Sequence, residues 1–221
     1  MIILEGPDGW LLTSESAAFH PIERVAVISD VHLGYEWSRA AGGDTMPAHT
    51  LADTVKRLEH LLAGVTIERL IVAGDLVEKA GPCVRTAADL RTLRNWLSER
   101  GVMLVTIHGN HDPKRGPAWP LSVELAGWTI THGHLPIWGE KTMQGHLHPV
   151  IRSGSLTAPC FLVSPKRIIL PAFSPNAAGW NVLESRLPAG WIQEGLRCVA
   201  GAGGELLDFG TLADLIARPT V

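Results

Sequence analysis

The sequence predicts an α/β domain built from two sheets that pack as layers, and three observations predict it. Continuous apolar runs rich in β-branched residues, "RVAVIS" at 24–29, "RLIVAG" at 69–74 and "VMLVTI" at 102–107, are separated by stretches with leucines at helical spacing. After about residue 127 the texture changes to many short apolar runs broken by Gly, Pro and Ser. No internal repeat, low-complexity tract or flexible linker divides the halves, so residues 1–221 read as a single domain.

Taken in order, "MIIL" and "WLLT" flank Gly-Pro-Asp-Gly, so residues 2–13 predict a hairpin. The three continuous runs predict strands covered on both faces. Between the first two, Leu51, Val55, Leu58 and Leu62 form one helical stripe, with Pro47 suited to the first turn and Gly64 to the stop. Between the next two, Leu90, Leu93 and Leu97 repeat the pattern and Gly101 ends it. This alternation predicts a largely parallel sheet with helical crossovers. "WTIT", "KTMQG", "FLVS", "RIILP" and "LRCVAG" predict a second, more antiparallel sheet, followed by a helix in "TLADLIA" at 211–217.

Composition narrows the class. With 221 residues and 46% apolar content the chain can bury a sizeable core, and a net charge of -3 excludes a generic lysine-coated polyanion binder without excluding nucleic acid. Cys83, Cys160 and Cys198 are odd in number and lack a CxxC pair, so neither a disulfide framework nor a thiolate zinc site is expected; they read as buried thiols of a cytoplasmic protein. The N-terminus lacks a secretory pattern, and no apolar run approaches the roughly 20 residues that span a bilayer. The sequence does not indicate an oligomeric state.

The chemistry lies where the strands end. The first core strand runs into Asp30 and His32, the second into Gly74-Asp75, and the third into His108, Asn110, His111 and Asp112. "WTIT" runs into His132 and His134, and "KTMQG" into His146 and His148. Ligands of open α/β sheets bind at this carboxyl edge. An isolated Asp after a strand is ordinarily a turn former, and a lone His ordinarily a hydrogen-bonded core or surface residue. Five strand-terminal clusters drawn only from Asp, Asn and His point instead to a metal site. Imidazoles with carboxylates and an amide oxygen, without thiolates, suit manganese, iron, zinc or cobalt. The candidates exceed what one tetrahedral ion needs, so two divalent ions bridged by a carboxylate are expected, about 3.5–4 Å apart, a geometry suited to in-line displacement at phosphate esters.

"DVH" at 30–32, "GDLVE" at 74–78, "GNHD" at 109–112, "HGH" at 132–134 and "GHLH" at 145–148 resemble, in order and spacing, the signature blocks of the calcineurin-like metallophosphoesterases. The resemblance spans residues 25 to about 175 and implies a four-layer α/β/β/α sandwich of two mixed sheets flanked by helices. It implies that Asp30, His32 and His148 hold the first ion, that Asp75 bridges, and that Asn110, His132 and His146 hold the second, with Mn2+ first among the candidate ions. His111 then faces the substrate as the catalytic imidazole, Asp112 orients it, and Gly109 is the turn that lets them converge. His134 is either an outer neighbour of the centre or a ligand. Two cations would lower the pKa of a bridging water, so that hydroxide serves as the nucleophile.

The resemblance implies a phosphoester substrate. "SDVHLGYE" and the later "LPAF" resemble the branch that contains DNA-ligase-associated phosphodiesterases and double-strand-break repair nucleases, which implies nucleic-acid end processing. Those proteins commonly carry His where this chain has Glu78, which reads here as a surface or helix-start residue. His108, Lys114, Arg115 and Arg39 are candidate substrate contacts, Arg39 lying in sequence beside Tyr35 and Trp37; Trp119 and Trp138 fall near the expected site. The alternative is a hydrolase of a nucleotide-sugar pyrophosphate or small nucleotide. A non-catalytic binding module is a reading of another class, but none of the positions that degenerate relatives lose is missing.

Overall fold

The expected hairpin forms from β1 (Ile3–Glu5) and β2 (Leu11–Thr13), joined across a 3-10 turn at Pro7–Gly9. The sheet continues through β3 (Ala18–His20), β4 (Val25–Ile28), β5 (Arg69–Ala73) and β6 (Met103–Ile107), with its strands in that order. The computed structural model describes residues 1–113, 119–137, 139–154, 156–184, 191, 193–202 and 205–217.

The expectation of a largely parallel sheet holds only for β4, β5 and β6; β1 to β4 pair antiparallel. Tight turns at Thr13–Ala17 and Pro21–Arg24 reverse the chain there, and such turns are too short for the crossover that a parallel pair needs. The parallel strands are linked by α1 (Tyr35–Ala41), α2 (Thr50–Gly64) and α3 (Val84–Ser98). Pro47 lies ahead of α2 rather than in its first turn. The helix starts at Thr50 because Glu36 of α1 reaches across and accepts the amide hydrogens of His49 and Thr50 and the Thr50 hydroxyl.

Both faces of this sheet are covered, which explains its continuous apolar runs. Ala26, Ile28, Leu70 and Val72 pack on Leu58 and Leu61 of α2 and Leu93 and Leu97 of α3. Val25, Val27 and Ile71 face the other way, onto Trp128, Ile130, Met143 and Phe161 of the second sheet. Each such buried side chain contributes about 1.5–3 kcal/mol.

Among the described residues the second sheet has nine strands: β7 (Ser122–Leu125), β8 (Trp128–Thr131), β9 (Thr142–Gln144), β10 (Pro149–Ser153), β11 (Leu156–Ser164), β12 (Arg167–Ile169), β13 (Trp180–Asn181), β14 (Arg197–Ala202) and β15 (Glu205–Thr211). It is mixed and mostly antiparallel. Its outer face buries Cys160, Leu162, Ile169 and Cys198 against Leu212 of α4 (Leu212–Ala217). The layers are therefore α/β/β/α. Cys160 and Cys198 are buried as expected, and burial pushes the Cys160 thiol up. Cys83 is only half-buried, because it precedes α3 at the sheet edge.

Register brings the chemistry together. Ile28 pairs with Val72 and Ala73 with Ile107, so the carboxyl ends of β4, β5 and β6 share one edge. Thr131 pairs with Gln144 in the parallel β8–β9 pair, delivering the His132 and His146 segments side by side. The loops after β4 and β5 stay zipped through Asp30 N–H to Gly74 O, His32 N–H to Asp75 O and Leu33 N–H to Leu76 O.

Candidate metal centre

Five of the residues named from the sequence leave their strands in left-handed backbone: Asp30 (φ 56°), His32 (φ 52°), Asp75 (φ 50°), His146 (φ 69°) and His148 (φ 47°). This conformation is uncommon for residues other than glycine and costs of order 1–3 kcal/mol each, so it persists only where surrounding structure enforces it. Two glycines make room for the convergence. Gly74 adopts φ 84° and a Cβ there would lie 2.4 Å from the His132 ring; at Gly109 a Cβ would lie 2.1 Å from Asp75 Oδ1. The requirement at Gly109 is thus steric as well as topological.

Among the described residues the donors form three groups, each with ligand atoms within 4.8 Å of one another: Asp30, His32 and His148; Asp75, His132 and His146; and His32, Glu78 and His111. The first two groups each take residues from both sheets. His132 ties them, with Nε2 3.2 Å from Asp75 Oδ2 and Nδ1 3.8 Å from Asp30 Oδ1. Asn110 Oδ1 lies 3.0 Å from His132 Nε2, on the side of the second group. Asp30 and Asp75 each commit one oxygen to a backbone amide, that of His146 at 3.0 Å and of His111 at 2.9 Å, which leaves the other oxygen of each carboxylate directed into the centre.

A divalent ion fits this arrangement. Asp30 Oδ1, His148 Nε2 and both ring nitrogens of His32 are buried without an aligned hydrogen bond. Asp30 Oδ1 and His148 Nε2 are nevertheless 2.9 Å apart, the spacing of two donors aimed at a common cation rather than at each other. Burial raises the pKa of Asp75, but the His132 contact and charge outweigh it and hold the carboxyl at about 2, so it is ionised and ready to ligate.

The structure corrects the role expected of Asp112. Its carboxylate is fully buried and accepts the amide hydrogens of Gly109 (2.8 Å), Asp75 (3.0 Å) and Val77 (3.1 Å), so it clamps the loops after β5 and β6 together. Burial drives its pKa up against those bonds. The His111 ring is oriented instead by the Glu78 carbonyl, 2.7 Å from Nδ1. Glu78 is likewise not a surface or helix-start residue: α3 begins only at Val84, and Glu78 Oε2 lies 2.9 Å from His32 Nδ1. Its place in "GDLVE" was the available signal.

His134 lies beside His132 with ring centroids 5.1 Å apart and the planes tilted, outside these donor groups. Burial, then His132 and His146, lower its pKa. Its Nδ1 and that of the neighbouring His108 are buried and unpartnered. Arg39 pairs with Asp44 at the end of α1. Trp37 donates its Nε1–H to Asp89 beneath Arg85, so it fastens α1 to α3, and Trp119 packs among the outer-face residues of the first sheet. Lys114, Arg115 and Trp138 lie outside the described residues. A cavity of about 460 Å³ lined by His148, Arg57 and Ser174 adjoins the centre, and one of about 580 Å³ lies at the start of α3, lined by Val77, Lys79, Cys83 and Pro113.

Residues 23–148, more than half of the chain and all of the centre, match the family model of the calcineurin-like phosphoesterases. The chain belongs to that family. Over 102 residues it is 30% identical to the DNA double-strand break repair protein Mre11 of Methanopyrus kandleri, a match that covers 45% of this chain and 22% of that protein. The crystal structure of the Pseudomonas putida nuclease MPE is similar with a TM-score of 0.70 and 25% identity, over 94% of this chain and 98% of that one. Among the described residues no helix is long and apolar enough to cross a membrane.

Proposed function

We propose that the protein is a dinuclear phosphodiesterase that processes nucleic-acid ends. The observation that carries the reading is the pair of donor groups tied by His132. Asp30, His32 and His148 would hold the first ion, Asn110, His132 and His146 the second, with Asp75 between them. Oxygen and imidazole donors without thiolate favour Mn2+, with iron, zinc and cobalt as competitors. When bound, the pair of ions supplies a nucleophile from water near neutral pH and offsets charge developing on the phosphoryl group.

The protein's own groups do the rest. The Glu78 carbonyl accepts the Nδ1–H of His111, so Nε2 is free to serve the phosphoryl oxygens or the leaving group, depending on its protonation. His134 lies next to His132 and His146, with His108 beside it, and we infer that their exposed ring edges serve the substrate's remaining polar atoms. The cavity lined by His148, Arg57 and Ser174 gives room for a substituent of the phosphoryl group beside the first donor group. Likeness to two proteins named for nuclease or DNA-repair roles supports nucleic acid as the substrate. The three free thiols fit a reducing, cytoplasmic setting.

The test is a substrate panel with Mn2+, Co2+, Zn2+ and Fe2+: bis-p-nitrophenyl phosphate, p-nitrophenyl phosphate, single-stranded DNA and a nucleotide-sugar pyrophosphate. The diester and DNA should be cleaved, and chelation should reduce both to background until Mn2+ is returned. Hydrolysis of the monoester alone, or of the pyrophosphate alone, overturns the reading.

A further inference from the structure

Glu78 is held in place by its backbone on two sides. Its N–H donates to Leu33 O at 3.0 Å, beside the Leu33–Val77 bridge, and its carbonyl accepts from His111 Nδ1. The carboxylate is therefore presented from a fixed point, with its side chain 20% exposed and Oε2 2.9 Å from His32 Nδ1.

The grouping of donors shows what that contact serves. Glu78 groups with His32 and His111, whereas Asp30 and His148 group with His32 without Glu78. His32 is the shared member. Since its Nδ1 faces Glu78, Nε2 is the nitrogen left for the side of Asp30 and His148.

We propose that Glu78 is a positioning residue for the first ion, acting through His32. It takes the Nδ1–H of His32, fixes the tautomer with Nε2 bare, and makes that nitrogen a stronger donor to a divalent cation. In this structure the two groups are 2.9 Å apart and the Nδ1–H is not aligned on the carboxylate. An ionised acceptor does this more strongly than a neutral one. The inference rests on the dinuclear reading above and adds an anionic support on the substrate-facing loop.

The experiment needs no substrate. Metal-free wild type, Glu78→Gln and Glu78→Ala are titrated with Mn2+ by calorimetry and by the electron paramagnetic resonance of free Mn2+. Wild type should bind two ions, and Glu78→Ala should weaken one of them by about 10–100-fold while leaving the other unchanged. Glu78→Gln, which keeps the shape and an acceptor oxygen, should fall between them and guards against a folding defect in the alanine variant. The lowered rate of diester hydrolysis at limiting Mn2+ should be recovered by raising Mn2+, a rescue that neither a folding defect nor a lost acid group would show. Unchanged affinity for both ions overturns the proposal. So does a third wild-type ion lost in the variants, which would make Glu78 a ligand of its own site. Absence of Mn2+ binding by wild type overturns the dinuclear reading and this inference with it, whereas two normal ions without diester hydrolysis overturn only the substrate assignment.

Discussion

His132 Nδ1 sits 2.9 Å from the carbonyl oxygen of Ala73, the last residue of β5, across the seam between the sheets. A carbonyl only accepts, so Nδ1 carries the proton and Nε2 turns toward Asn110 Oδ1 and Asp75 Oδ2. A lone pair there would face two acceptors, so a proton or a cation must occupy the position. Burial pulls the His132 pKa down, but the Asp75 contact and the charges of Asp30 and Asp75 outweigh it and the net shift is upward.

That relationship predicts a pH signature for the metal-free protein. A histidine whose folded pKa is raised contributes stability that is full below its ordinary value of 6.5 and is lost as pH rises through the raised value. The melting midpoint of chelated protein should fall as pH rises above 6.5, and Mn2+ should remove the trend. Parallel curves with and without Mn2+ would refute it.

His111→Ala should keep both ions and the fold while lowering kcat for the diester by about 10²–10⁴-fold. Mn2+ titration and melting check the first part, steady-state kinetics the second. Near-normal turnover would remove His111 from the chemistry.

Asp112→Ala should act mainly on stability, since it strands the buried amides of Gly109, Asp75 and Val77 at about 1–3 kcal/mol each. Asp112→Asn, which retains one acceptor oxygen, should be milder and leave the pH profile of kcat unchanged. A shifted profile would restore the orienting role expected from the sequence.

Gly109→Ala should displace Asp75, because the added Cβ meets Oδ1. Expected are weaker binding of Mn2+ and a lower melting midpoint. Wild-type Mn2+ affinity in this variant would mean the loop after β6 yields freely.

Glu36 offers a prediction away from the metal centre. Burial pushes its pKa up, but the Thr50 hydroxyl and the Thr50 and His49 amides outweigh that and the net shift is downward. Such a carboxylate contributes stability that is present above its ordinary value of 4.5 and is lost as pH falls through the lowered folded value. Glu36→Gln should lower the melting midpoint at pH 7 and flatten its fall below pH 4.5; equal acid sensitivity in both proteins would show that Glu36 is not the cause.

The parallel core strands and their terminal Asp, Asn and His residues were legible because burial on both faces writes an uninterrupted apolar run, and the polar residues that end it stand out. β3 was not, since Ala18–His20 is too short to show a period. The start of α2 was misjudged because its cap comes from Glu36, 14 residues away from Thr50. The same limit explains Asp112 and Glu78. A motif shows which residues share a loop, while their partners, Val77 and His32, are set by how two loops zip together.

Because the Asp30–His32–His148 and Asp75–His132–His146 groups each draw on both sheets, an ion bound in either one is also a cross-link between stretches of chain more than 50 residues apart. The N-terminal half supplies Asp30, His32, Asp75 and Asn110 yet completes neither group alone. During synthesis, then, neither of these two groups can be completed until the segment that carries His146 and His148 has been made and docked. Metal capture marks the moment the two halves become one machine, and protease resistance of the β8–β9 region should rise with it.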